Sequence, residues 1–145
     1  MEEVAIRRLE LEDVEEIGRI QGQITQSTVT PDFLEIVREY AAKPDNACFV
    51  AEHDGRIVGF MISSILSGIF GMERSAWIAL LGVDPRYMGR DIGKALAAEI
   101  TGFYREMGIR NLYTSVRWDS TDLLSFFKTL GFDRSDFINL RRVLE

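Results

Sequence analysis

Apolar and polar positions alternate along this chain in two periods, and the switches between them mark out its elements. Residues 4–9 alternate at period two, with Val4 and Ile6 apolar and Arg7 and Arg8 breaking the pattern, and predict a first strand. From about Glu12 the period becomes helical, with Val14, Ile17, Ile20 and Ile24 on one face and acids in the first turn. The polar stretch 21–28 ends that helix loosely. Thr30-Pro31 then restarts one, with Thr30 as N-cap and Pro31 at the first helical position. Phe33, Leu34, Val37, Tyr40 and Ala41 form its apolar stripe, and Pro44 stops it. Residues 47–53 and 56–66 read as two strands joined by Asp54-Gly55, a pair suited to a turn with two positive φ angles.

A glycine-containing loop, 67–74, leads to a strand at 77–83 that is apolar on both faces and therefore central and buried. Gly82 within it marks a bulge or a close backbone approach. After Asp84-Pro85 comes a basic, glycine-containing loop and then a helix over about 92–107. Ile92, Leu96, Ile100, Phe103 and Met107 line one face of that helix, and Gly108 closes it. Residues 111–116 form a short strand. Asp119 or Ser120 caps a last helix carrying Leu123, Leu124, Phe126, Phe127 and Leu130, which Gly131 ends, and 137–144 predicts a final strand. The order β-α-α-β-β-β-α-β-α-β is that of a mixed α/β (α+β) fold, with helices flanking one sheet in a single domain over residues 1–145.

Composition narrows the picture. Hydrophobic residues make up 46% and charged residues 28%, which fits a soluble globular chain with a real core. The longest apolar run, 57–69, contains Ser63, Ser64 and Ser67 and reads as a strand, so no membrane partner is expected. The start Met1-Glu2-Glu3 is acidic and has no signal-peptide pattern. The lone cysteine, Cys48, permits no internal disulfide, and a cytoplasmic location is expected. A net charge of −6 argues against nucleic acid and favours cationic partners. His53, the only histidine, flanks the 54–55 turn and reads as a strand-end residue. No metal is expected.

The chemistry concentrates in residues 80–96. A strand hands the chain to a loop, and the loop to a helix N-terminus, where unpaired N–H groups attract phosphate-like anions. Gly89 and Gly93 allow close backbone approach, and Arg86, Arg90 and Lys94 add positive charge.

Three features together resemble the GNAT superfamily of N-acetyltransferases. They are the hairpin from Ala51 to Phe60, the run Gly82-Val83-Asp84-Pro85 followed by Gly89-Arg90-Asp91-Ile92-Gly93-Lys94-Ala95-Leu96, and the helix ending Phe126-Phe127-Lys128-Thr129-Leu130-Gly131-Phe132. The resemblance covers about residues 4–143. It implies a mostly antiparallel sheet of about six to seven strands flanked by about four helices, with splayed central strands. It implies acetyl-CoA as co-substrate, with the pantetheine arm between strands 77–83 and 111–116 on backbone groups near Leu81 and Val83. The pyrophosphate would lie on Met88, Gly89, Arg90, Asp91, Ile92, Gly93 and Lys94. The acceptor would be a primary amine of a small molecule or peptide, and a homodimer is possible in such proteins.

The chain departs from the family pattern at four places. Met88 stands where the family usually has Arg or Gln, and Asp91, which reads as the N-cap of the 92–107 helix, stands at a glycine position. Phe127 replaces a frequent tyrosine, and Ser120 a frequent helix-capping asparagine. For direct attack of an amine on the thioester, a backbone N–H near Leu81 would hold the developing oxyanion. The nearest carboxylate base is Glu73 and the candidate acid is Tyr113. Two readings stand beside the enzyme: a non-catalytic acyl-CoA-binding module, motivated by Asp91 and Phe127, and a plain α/β interaction domain.

Overall fold

A computed structural model describes residues 3–68 and 71–145. Met1 and Glu2, part of the acidic start, lie outside the described residues. So do Ile69 and Phe70, part of the 57–69 run and the 67–74 loop. The chain forms two compact units, residues 1–115 and 116–145.

The first unit is built on one sheet of five strands in the order β1-β2-β3-β4-β5. These are β1 (Ala5–Arg8), β2 (Cys48–His53), β3 (Arg56–Leu66), β4 (Ser75–Val83) and β5 (Leu112–Thr114). The first three pairings are antiparallel, and β4 pairs with β5 in parallel. The β2–β3 connection is the tight turn expected at Asp54-Gly55, with φ of 51° and 74°.

Among the described residues, three α-helices complete this unit: α1 (Val14–Thr25), preceded by a 3-10 turn at Leu11–Asp13; α2 (Pro31–Ala41); and α3 (Ile92–Glu106). The Thr30 side chain caps α2, accepting from the N–H of Phe33 at 3.3 Å, as the Thr30-Pro31 signal predicts. Gly59 and Phe60 are neighbours on β3 and so face opposite ways. A Cβ at Gly59 would strike Ile92 and touch Leu96 of α3, whereas Phe60 packs edge-on against Phe33 of α2. The sheet thus carries α3 on one face and α1 with α2 on the other. The second face holds a core in which Ile17, Ile20, Val37, Val50, Phe60 and Ile62 are fully buried. Cys48 belongs to that core.

The 116–145 unit holds α4 (Thr121–Thr129). The N–H of Phe132 bonds to the carbonyl of Phe127 at 3.0 Å, and Gly131 sits at φ 94°, which closes the helix as the glycine predicts.

The expected six to seven strands are corrected to five among the described residues. The stretch 137–144, expected as a final strand, joins no ladder among the described residues. Ile138 is 80% exposed and Leu140 89%. Apolar composition suits a segment to a sheet; only a neighbour's N–H and C=O groups make it a strand.

Gly82 proves to be a close-approach glycine. A Cβ there would stand 2.6 Å from the Phe60 ring and 2.9 Å from Ile24 of α1. The Phe60 ring is fully buried and has no room to yield. Gly82→Ala should therefore destabilise the protein by about 1–3 kcal/mol through overpacking, read as a lower urea midpoint.

Candidate active site

The central strands part because their pairing stops early. β4 and β5 share three residue pairs, Ala76 with Leu112, Trp77 with Tyr113 and Ile78 with Thr114. At the last pair, the Thr114 hydroxyl donates to the Ile78 carbonyl at 3.0 Å. On the other side of β4 the register slips. Ile62 faces Leu80 while Ser63 faces Ile78, which leaves Ala79 as an extra residue.

Beyond that bulge, β4 holds only β3. The N–H of Asp84 bonds to the Val58 carbonyl at 2.8 Å, so Asp84 faces β3. Backbone groups alternate sides along a strand, and those of Leu81 and Val83 therefore face away from β3. These are the two residues picked out for the pantetheine arm.

Asp84 ends the strand. Its carboxylate is fully buried and accepts from the Arg86 N–H at 3.0 Å and from the Arg86 guanidinium at 3.0 and 3.2 Å. Arg19 of α1 lies 3.6 Å away. The Arg86 hydrogen bond is the chief cause that holds the Asp84 carboxyl below its ordinary value, against the opposing effect of burial. Arg86 is thus committed to Asp84, which corrects the expectation that it adds charge to the anion-binding loop.

The chain then makes a 3-10 turn at Pro85–Tyr87. The Tyr87 hydroxyl hydrogen-bonds His53 Nδ1 at 2.9 Å, and the Arg90 guanidinium lies 4.9 Å from the Tyr87 ring centre. His53 is a strand-end residue, as expected, and it props the turn that carries Arg90.

Gly89 has φ 79° and open space around it. Asp91 is also left-handed, at φ 59°, and its side chain caps nothing. This corrects the reading of Asp91 as a working N-cap: an N-cap side chain reaches forward from an extended backbone, and the left-handed turn aims it elsewhere. The first main-chain bond of α3 runs from the Ala95 N–H to the Asp91 carbonyl, so Ile92, Gly93 and Lys94 carry the helix's unpaired N–H groups. Met88, Arg90, Asp91 and Lys94 are exposed around them.

Of the catalytic candidates, Tyr113 lies on β5 with its ring stacked on Trp77, centres 4.7 Å apart. Glu73 is exposed ahead of β4. It stands four residues before Trp77, the ladder partner of Tyr113.

In the 116–145 unit, Ser120 takes the N-cap position of α4, but its side chain caps nothing. Asp119 pairs with Arg117 at 3.0 Å instead. Phe127 is buried, edge-on to Phe126 and Phe132.

The sequence reading missed a cleft of about 300 Å³ at the parting of the strands. It is lined by Tyr40 of α2, Ser64 and Leu66 of β3, Trp77 and Ala79 of β4, and Ser115 just past β5. A tyrosine at the polar boundary of the α2 stripe was the one available signal. A second cleft of about 460 Å³, which includes Glu39 and Lys43, shares Tyr40, Ser64 and Leu66 with the first.

Comparison with known proteins bears on this arrangement. Residues 12–132 match the family model described as acetyltransferase (GNAT) family. The chain is 35% identical over 101 residues to the N-alpha-acetyltransferase RimI of Mycobacterium tuberculosis, which covers 70% of this chain and 59% of that one. It is 29% identical over 119 residues to the mycothiol acetyltransferase of Amycolatopsis mediterranei, which covers 80% and 38%. It thus spans less than two thirds of either relative. Its fold resembles that of an aminoglycoside N-acetyltransferase solved in complex with CoA, with a TM-score of 0.81 at 20% identity, covering 99% of this chain and 96% of the other.

Two outcomes check this local geometry. Asp91→Gly should leave stability within about 0.5 kcal/mol of the parent, because left-handed strain is relieved as glycine's extra freedom is restrained; a working cap would cost about 1 kcal/mol. Asp84→Asn should destabilise by about 1–3 kcal/mol at neutral pH. A carboxyl depressed in the folded state stabilises above its unfolded pKa, and that contribution is lost as pH falls through the folded one. Denaturant titrations should show the gap full above about pH 5 and closing well below the ordinary value of 3.8.

Proposed function

This chain belongs to the acetyltransferase (GNAT) family, and we propose that it moves an acetyl group from acetyl-CoA to a primary amine of a small molecule or peptide. The observation that carries the proposal is continuous: the open edge of β4 runs into a left-handed loop and then into the unpaired N–H groups of α3. A donor with an extended amide-bearing arm and a pyrophosphate fits that sequence of groups. No name among these relatives supports the non-catalytic module.

In this reading, Leu81 and Val83 offer main-chain groups to the pantetheine arm as they would to an added strand. The N–H groups of Ile92, Gly93 and Lys94, with the Gly89 backbone, take the pyrophosphate, and the Arg90 and Lys94 side chains add charge. Met88 contributes its backbone alone. Asp91 brings a carboxylate next to an anion, a repulsion on the order of 1 kcal/mol at an effective dielectric of 20 or more with partial screening.

Acetyl-CoA supplies an activated acyl carbon with a thiolate leaving group. The Leu81 N–H serves the oxyanion. Tyr113, or water, returns a proton to the thiolate, since Phe127 keeps a ring without a hydroxyl. Ser120 and Phe127 are carried as cofactor-binding positions by the family resemblance alone. Glu73 reaches the reacting amine only through water, given its place ahead of β4.

The experiment is calorimetric and kinetic. Acetyl-CoA at 100 times its Kd should stabilise the protein by about 2.7 kcal/mol. Thiol release should then accompany an amine acceptor. Arg90→Ala with Lys94→Ala should raise the KM for acetyl-CoA several-fold and leave kcat nearly unchanged, because these charges bind the donor's phosphates in ground and transition states alike. A missing thermal shift at millimolar acetyl-CoA contradicts the proposal.

A further inference from the structure

The loop between β4 and α3 has few side-chain charges to offer an anion. Arg86 is committed to Asp84, and Met88 is neutral. Arg90 and Lys94 remain, and the Asp91 carboxylate opposes them. With Arg90 turned away, Lys94 and Asp91 would cancel. The position of Arg90 therefore decides whether the loop's side chains favour an anion at all. Arg90 is exposed, and an exposed arginine on its long stem samples many rotamers unless something holds it.

The ring of Tyr87 holds it. Gly89, at φ 79°, reverses the chain, and Arg90 folds back over the residue three positions earlier. Its guanidinium carbon lies 4.9 Å from the Tyr87 ring centre. The tyrosine is itself fixed at both ends. Its backbone N–H donates to the Asp84 carbonyl at 2.8 Å. Its hydroxyl hydrogen-bonds His53 Nδ1 at 2.9 Å, and the two rings meet edge-on with centres 5.4 Å apart. A guanidinium over an aromatic face keeps N–H donors at its rim for an oxygen ligand, so the ring and a phosphate can be met together.

We propose that Tyr87 is a positioning residue for the acetyl donor: its ring holds Arg90 in place for the donor's phosphates, and His53 on the β2–β3 hairpin sets that ring. The proposal rests on the acetyl-transfer reading above. Neither Tyr87 nor His53 needs to touch the donor. A free arginine loses rotamer freedom when it binds a phosphate, whereas one already seated on a ring has lost it on folding, and donor affinity gains by the difference. The hairpin thus acts on the donor through two side chains, one hydrogen bond and one cation–π contact.

Calorimetric Kd values for acetyl-CoA test this as a double-mutant cycle on the full chain. Tyr87→Leu, which removes the ring face, should weaken binding about two- to fivefold, the range of an exposed cation–π contact. Arg90→Ala should weaken it at least as much. The two substitutions together should weaken it no more than Arg90→Ala alone, because the ring then has nothing to hold. Paired with Lys94→Ala, Tyr87→Leu should keep its full factor. A ring that only supports the fold would weaken binding in both backgrounds alike. Tyr87→Phe and His53→Ala leave a ring in place, and each should give a smaller loss that also vanishes in the Arg90→Ala background; they carry the cycle if Tyr87→Leu does not fold. Factors for Tyr87 and Arg90 that multiply overturn the positioning role, and so does a Tyr87→Leu variant that binds as tightly as the parent or more tightly. In either case binding by the parent leaves the acetyl-transfer reading standing. A parent that does not bind acetyl-CoA overturns that reading and this proposal with it.

Discussion

The ladder between β4 and β5 ends at Ile78, and every part of the site takes its position from that ending. Three parallel pairs hold the strands together, and beyond them β4 keeps only β3. Two local devices fix the point. The Thr114 hydroxyl occupies the Ile78 carbonyl, and the extra residue Ala79 changes which way the next backbone groups face. An open edge in the middle of a sheet leaves hydrogen-bonding groups without partners, a cost a fold tolerates where a ligand can meet them.

The turn and loop after β4 are held as firmly as the strand. Asp84 is buried and gathers Arg86 from the turn and Arg19 from α1, so the end of the strand, the turn and a helix of the other face meet on one carboxylate. His53 and Tyr87 then support Arg90 from the β2–β3 hairpin. The loop that exposes the α3 N-terminus is therefore braced on both sides. Its left-handed residues, Gly89 and Asp91, supply the reversal that points N–H groups outward. Asp91 is an acid in a conformation suited to glycine.

Much of this is legible along the chain. Asp54-Gly55, Thr30-Pro31 and the 92–103 apolar stripe each act through neighbours a few residues away, and each forms as read. Leu81 and Val83 stand out by resemblance, and their backbones do face the open edge. Other features depend on contacts no short window contains. The Ala79 bulge is a property of two strands' registers, not of alanine. Asp91 reads as a cap from its place before a helix, but its φ is set by the loop that precedes it. Arg86 reads as a free charge until Asp84 is found buried beside Arg19. Residues 137–144 are rich in apolar side chains, yet they join no ladder among the described residues. The uncharged cleft gathers α2, β3, β4 and the end of β5, and only the fold brings them together.

The central claim is that the open edge of β4 and the N-terminus of α3 form one continuous site for the acetyl donor. Residue-resolved amide hydrogen exchange, with and without saturating acetyl-CoA, tests it most directly. The account predicts slowed exchange at Leu81, Val83, Ile92, Gly93 and Lys94, with little change at Ala76 and Ile78, whose ladder is already formed. Binding of acetyl-CoA that leaves those five amides unchanged would contradict it.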